Sequence, residues 1–248
     1  MQKVTLFINP YFFYLSMRMS EVPKVWRRAF VEIYDMLGLP ALSLTKEGLS
    51  NQLEDGICLL LKRVLEGQGS QVFLKVKGVG TPGFDTDIDV LELRKDTCIA
   101  YEVKGLRQKM KGRRKEKVLT GVGVLEGLEQ ALNHLFNAGY IADYIYLVHP
   151  ILTFYGYFLR TKILLEKYTP VGYMVVDPVG KIVELVKPKP TKPIAAGSRL
   201  IDASRNSILG VSESDVARSL QKRVEKVSGL PIDILKESMT RGYDIMYK

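Results

Sequence analysis

Asp85-Thr86-Asp87-Ile88-Asp89-Val90-Leu91-Glu92-Leu93, a polar break at Arg94-Lys95-Asp96-Thr97, and then Ile99-Ala100-Tyr101-Glu102-Val103-Lys104-Gly105 make up the stretch that decides the fold. Each half is a short apolar run bounded by turn residues, which predicts two strands joined as a hairpin. Side chains alternate faces along a strand, so Glu102 and Lys104 share one face with Cα atoms about 7 Å apart. Asp87 and Asp89 likewise share a face of the first strand. Pairing the strands brings an acidic residue beside Glu102, with Lys104 next to it. A polar strand face is ordinarily just solvated. Here Val90, Leu91, Ile99, Ala100 and Val103 make the hairpin apolar enough to be buried while Asp89, Glu102 and Lys104 remain. Buried charges are costly unless they are paired or bind a metal. Two carboxylates and one ammonium at a strand end therefore point to a divalent-cation site.

Asp89, followed thirteen residues later by Glu102-Val103-Lys104, resembles the PD-(D/E)XK nuclease superfamily, with a spacing close to archaeal Holliday-junction resolvases and RecB-like nucleases. The proline of that pattern is absent, since Ile88 precedes Asp89. The resemblance spans about residues 45–178. It implies an α/β, restriction-endonuclease-like core: a central mixed β-sheet flanked by helices. It also implies a metal-dependent DNA nuclease, endo- or exonuclease, of repair, recombination or defence. Asp89, Glu102 and a backbone carbonyl near Val103 would bind Mg²⁺, with Mn²⁺ able to substitute. Lys104 would be catalytic and Asp87 auxiliary. The family has an acidic residue on the helix before the core strands. Glu54 fits that role best and Glu47 second. A Gln on the later helix, here Gln130, often contacts DNA or the active site.

The chain has 248 residues, 46% of them hydrophobic and 25% charged, which is the composition of a soluble globular protein with one core and a small appendage. No apolar run is long enough to span a bilayer. Asn9-Pro10 interrupts the apolar start and no small-residue cleavage site follows, so a signal peptide is not expected. Two cysteines, Cys58 and Cys98, read as reduced core residues of a cytoplasmic protein. With only His134 and His149 besides, a structural zinc is not expected.

A formal net charge of +9 favours an acidic partner, and nucleic acid is the commonest one. The charge is clustered. Arg107, Lys109, Lys111, Arg113, Arg114, Lys115 and Lys117 make seven of eleven consecutive residues basic, against the single acid Glu116. Such a run self-repels and is expected to stay mobile until it meets an anion. It leaves the very strand that carries Glu102 and Lys104, so phosphate contact outweighs the reading as a solvated loop.

The remaining pattern predicts a helix from Thr45 or Ser50 to Leu65, strands at 71–77, 143–148 and 171–176, and helices at 124–138 and about 154–166. The glycine-rich 78–83 lacks a Gly-Lys-Ser/Thr ending and is no Walker loop. Residues 1–42 read as an N-terminal extension and 43–178 as the nuclease core. Residues 179–200, with Pro188-Lys189-Pro190, read as a stiff linker or edge segment, and 201–248 as a C-terminal helical module. In that module Ser212-Glu213-Ser214-Asp215 opens a helix and 231–240 forms another. The module suits DNA contact and a homodimer arm alike. The chain has no helicase segment, which leaves a separate helicase or repair partner open. The competing reading is a non-catalytic nucleic-acid-binding protein on the same fold. A small-molecule enzyme has no supporting motif.

Overall fold

The computed structural model describes residues 45–79, 86–94, 97–123, 126–137, 142–150, 157–176, 178, 180–191 and 210–231. The extension 1–42, the loop 80–83 and the helix expected at 231–240 lie outside these, apart from Pro231. The predicted hairpin forms, as β2 (Thr86–Arg94) and β3 (Thr97–Val103), paired antiparallel with Val90 opposite Tyr101 and Leu93 opposite Cys98. β1 (Gln71–Val79) pairs antiparallel on the outer side of β2.

β3 is buried along nearly its whole length because β6 (Tyr144–Pro150) pairs parallel on its other side. A strand with neighbours on both edges and layers on both faces reads as a continuous apolar run. β7 (Gly172–Val176) adds parallel to β6, and β8 (Ile182–Val186) closes the sheet antiparallel. The result is a mixed six-stranded sheet in the order β1-β2-β3-β6-β7-β8. The fold is α/β, with helices flanking the sheet. Among the described residues no helix is long and apolar enough to cross a membrane.

The first helix breaks in two, α1 (Lys46–Ser50) and α2 (Glu54–Glu66). The break has a physical reason. Asn51 Nδ2 donates to the Pro178 carbonyl at 3.1 Å and buried Gln52 Nε2 to the Val176 carbonyl at 3.0 Å, tying the linker to the end of β7. Ile57, Cys58, Leu61 and Leu65 of α2 pack with Leu74, Val90, Tyr101 and Val148. A second cluster joins Leu91, Ala100, Leu147 and Tyr173 to Leu128 and Ala131 of α3 (Leu128–Asn137) and Leu165 of α4 (Tyr157–Tyr168).

The segment from 179, read as a stiff linker or edge segment, contributes the edge strand β8, and beyond it Thr191 is buried with its hydroxyl donating to the Ala142 carbonyl at 2.6 Å. The helix α5 (Glu213–Val227), capped by Ser212 as its sequence predicts, places Val216 in one core cluster and Val224 and Val227 in the other. It is packed against the sheet domain. Just before it, the Val211 amide donates to the Leu74 carbonyl at 2.7 Å and covers part of the β1 edge.

The basic run is not an irregular loop. It is a two-stranded hairpin, β4 (Arg107–Lys111) and β5 (Glu116–Thr120), with an exposed four-residue turn. Self-repulsion is offset at both ends. Glu116 stands opposite Lys111 in the ladder, and Arg107 forms an ion pair with Glu126. At its base Val118 and Leu119 are buried, and the Leu119 amide donates to the Pro231 carbonyl at 2.9 Å.

Candidate active site

The β2–β3 ladder ends at the Val90–Tyr101 pair, and the next residue on each strand is Asp89 and Glu102. There the pairing loosens, and the Asp89 carboxylate takes over: its Oδ2 accepts the Val103 amide at 2.8 Å. Glu102 is buried and forms an ion pair with Lys104. The Lys104 amide donates to the Val148 carbonyl at 3.0 Å, which anchors the end of β3 to β6. Asp89, Glu102 and Lys104 are thus together at one end of the sheet's central hairpin.

Two glycines make this end possible. A Cβ on Gly105 would lie 2.1 Å from the Glu54 amide nitrogen, so only glycine lets the chain leaving β3 pass against the start of α2. The Leu106 amide then donates to the Gln52 carbonyl at 2.8 Å and fixes that contact. Gly127, at φ +75°, sits where a Cβ would be 2.8 Å from Lys104 Cγ. Its absent side chain is the space the lysine stem fills.

The docking of α2 brings Glu54 into the cluster, through a residue the sequence did not single out. Lys75 of β1 lies beside Asp89, and its Nζ is 2.6 Å from Asp89 Oδ1, 2.6 Å from Glu54 Oε1 and 3.9 Å from Asp55 Oδ1. Burial pushes the Asp89 carboxyl up to about 6, and the charge of Glu102 adds to the rise. Burial alone would lower Lys75. The groups around it, Cys58, Asp89 and Glu54, more than reverse that and hold it well above its ordinary value.

Behind Lys104, His149 is fully buried at the end of β6. Its Nε2 lies 3.0 Å from the Glu126 carbonyl, which can only accept, so Nε2 carries the proton. Nδ1 then accepts from the Tyr173 hydroxyl at 3.3 Å. Burial, with the Lys104 charge second, pushes this imidazole down to about 3. His149 therefore holds, as a neutral donor, the loop that presents Gly127 to Lys104 and Glu126 to Arg107.

Other expected residues lie elsewhere. Glu47 is exposed on α1, leaving Glu54 as the helix acid at the cluster. Asp87 is exposed near the start of β2. Gln130 is exposed in the first turn of α3, outside the buried cluster, because the inward positions there belong to Leu128 and Ala131. Along the β4–β5 hairpin, Arg107, Lys109 and Lys111 alternate onto one face, Lys117 falls on the other, and Arg113, Arg114 and Lys115 form the exposed turn. The cations are spread around an arm rather than gathered on one face.

The carboxylate oxygens are hard ligands of the kind Mg²⁺ and Mn²⁺ take. Yet among the described residues no three His, Cys, Asp or Glu side chains stand ready as a cation cage. The reason is visible: the Lys75 ammonium lies between Asp89 and Glu54, and Lys104 pairs with Glu102. The residues fit a divalent ion on condition that Lys75 gives way. No family model, no characterised protein and no solved structure matches this chain.

Proposed function

We propose that this chain is a metal-dependent nuclease of DNA on a restriction-endonuclease-like core. The observation that carries the reading is the junction of β2 and β3, where Asp89 binds the Val103 amide beside the buried Glu102–Lys104 pair. The element order supports it too: helix, three antiparallel strands and, past the β4–β5 hairpin, a helix and a strand parallel to the third. Asp89, Glu102 and the Val103 carbonyl would hold the ion, with Glu54 beside them. When bound, Mg²⁺ supplies a water acidic enough to act as nucleophile at neutral pH. Lys104 places a compact positive charge where negative charge grows on the phosphate oxygens, and Gly127 and His149 keep it there. The basic arm starts three residues after Lys104 and supplies sequence-independent attraction for the phosphate backbone.

One observation favours the second reading, a nucleic-acid-binding protein without cleavage activity. The cluster's lysines already pair its carboxylates, and a binder would keep them so. Incubating the purified chain with linear duplex, single-stranded, circular and four-way DNA, in Mg²⁺, Mn²⁺ or EDTA, separates the two. Cleavage with either metal and none in EDTA is expected. Binding of DNA with no cut in any substrate would make the second reading the better one, and cleavage that survives EDTA would sink the metal mechanism.

A further inference from the structure

Lys75 is the odd residue of the cluster. It is a cation on the strand next to the acids, where the resemblance assigns nothing. Resting on the nuclease reading above, we propose that Lys75 is a resident counter-cation for Asp89 and Glu54, and that a divalent ion gains these two carboxylates by displacing its ammonium.

Three observations carry this. First, one Nζ stands 2.6 Å from each of two carboxylates on different elements, α2 and β2, and 3.9 Å from a third. That is a central position, not a peripheral pair. Second, Lys75 has φ +47° in the middle of β1, between Leu74 opposite Val90 and Val76 opposite Ile88. A side chain with a Cβ rarely adopts the left-handed region, and such strain persists only where the surroundings impose it. Third, among the described residues the acids of the cluster outnumber its cations: Glu54, Asp55, Asp89 and Glu102 stand against Lys75 and Lys104.

An ion pair kept only for stability has a different form. Buried pairs contribute little net stability and are favourable only when each charge is matched. Here one ammonium is divided between two carboxylates, which is the arrangement a second cation can improve. Lys75 is long and flexible, so its head can withdraw toward solvent while β1 stays paired. Without metal it keeps the acids from repelling each other. With metal present it competes.

The test measures metal binding rather than cleavage. Mn²⁺ is titrated into the purified full chain and into Lys75→Met by calorimetry, with melting followed in EDTA and in Mn²⁺. Lys75→Met is expected to bind Mn²⁺ about tenfold more tightly than wild type. It should melt lower in EDTA and recover in Mn²⁺. Lys75→Arg keeps a charge with a rigid, bidentate fork and is expected to bind Mn²⁺ more weakly than wild type. It also serves if the Met variant does not fold. Unchanged Mn²⁺ affinity in either folded variant overturns the displacement while leaving the nuclease reading intact. Binding by Lys75→Met alone, with none by wild type, supports the displacement and sinks metal-dependent cleavage by the natural chain. Absence of Mn²⁺ binding in all three proteins overturns both.

Discussion

Asp89 and Glu92 lie three residues apart on the same strand, both acidic and both drawn into the protein, and they are held in opposite ways. Glu92 is fully buried, and its two oxygens accept from Ser70 Oγ, Arg94 Nε and the Tyr101 hydroxyl, each at 2.6 Å. Among the described residues no second carboxylate shares these donors. Tyr101 is itself fixed, stacked on Tyr146 with ring centroids 5.3 Å apart, and burial with the Glu92 bond holds its hydroxyl proton firmly. Asp89 has one backbone amide and half a lysine. The Glu92 end is a closed set of hydrogen bonds that fastens β1, β2 and β3 together. The Asp89 end is left over-acidic and its cation is shared. Burial of an acid does not by itself mark a chemical site; competition for its partners does.

The largest effects come from breaking this contrast at both ends. Lys104→Ala is expected to lower Mg²⁺-dependent DNA cleavage by roughly 10²–10³-fold, as loss of a transition-state donor does. Asp89→Asn should lower it at least as far and keep a melting temperature near wild type, whereas Lys104→Ala should also melt lower, because it takes the ammonium away from buried Glu102. Glu92→Gln should do the reverse. Replacing a buried carboxylate that accepts three hydrogen bonds costs about 2–3 kcal/mol. The urea midpoint should fall accordingly, with Mn²⁺ affinity and cleavage kept at temperatures where the variant is folded. Equal loss of cleavage at Glu92 and Asp89 would erase the distinction between the two ends.

His149 sharpens the boundary. It sits at the Asp89 end but, like Glu92, is completely buried and bonded on more than one side, its own partners being the neutral Tyr173 hydroxyl and Glu126 carbonyl. Its folded pKa of about 3 lies below the ordinary 6.5. Between those values the unfolded chain takes up a proton that the folded chain does not, so stability is lost as pH falls through that window. By linkage the loss is about 2 kcal/mol near pH 5. His149→Gln, which keeps a donor for the Glu126 carbonyl, should flatten this limb in denaturant titrations at about pH 5 and 7.5. An acid limb unchanged in that variant would mean that other groups carry it.

How much of this was legible follows from what each residue's neighbours in sequence reveal. The hairpin with Asp89, Glu102 and Lys104 was readable because alternation and a short turn fix register within twenty residues. Glu54 was readable only through the resemblance, since its approach depends on Gly105 fitting against the helix start. Lys75 was not readable. In Val72-Phe73-Leu74-Lys75-Val76 it looks like one solvated position in a strand, and its role arises from a positive φ and from acids on two other elements. The motif spacing selects Asp89 over Glu92, but the closed set of hydrogen bonds around Glu92 is visible only in three dimensions. Gln130 lies exposed at the start of α3, since helical periodicity fixes a face and not the neighbour across from it. The basic run was read correctly as to charge and wrongly as to shape. Glu116 counts there as one acid against seven cations, though the ladder sets it opposite Lys111, and Glu126, which pairs with Arg107, stands outside the run.

The smallest expected effect concerns that arm, where charge is neither buried nor shared. Arg113, Arg114 and Lys115 form its exposed turn. Exposed side chains of this kind change folding stability by no more than about 0.5 kcal/mol each. Their replacement by Ala should therefore leave the urea midpoint nearly untouched and leave Mn²⁺ affinity at the Asp89 end unchanged. What should move is the salt dependence of DNA binding. Each phosphate contact adds about 0.9 to the slope of log K against log salt, through release of condensed counterions. If all three cations meet phosphates, the slope should flatten by roughly three such steps; if the arm's β4 face carries the contact instead, it should flatten by one or none. The matched variant Lys109→Ala with Lys111→Ala, on that face, distinguishes the two. A slope unchanged in both variants would take the arm out of the DNA path and leave the net charge elsewhere to supply the attraction.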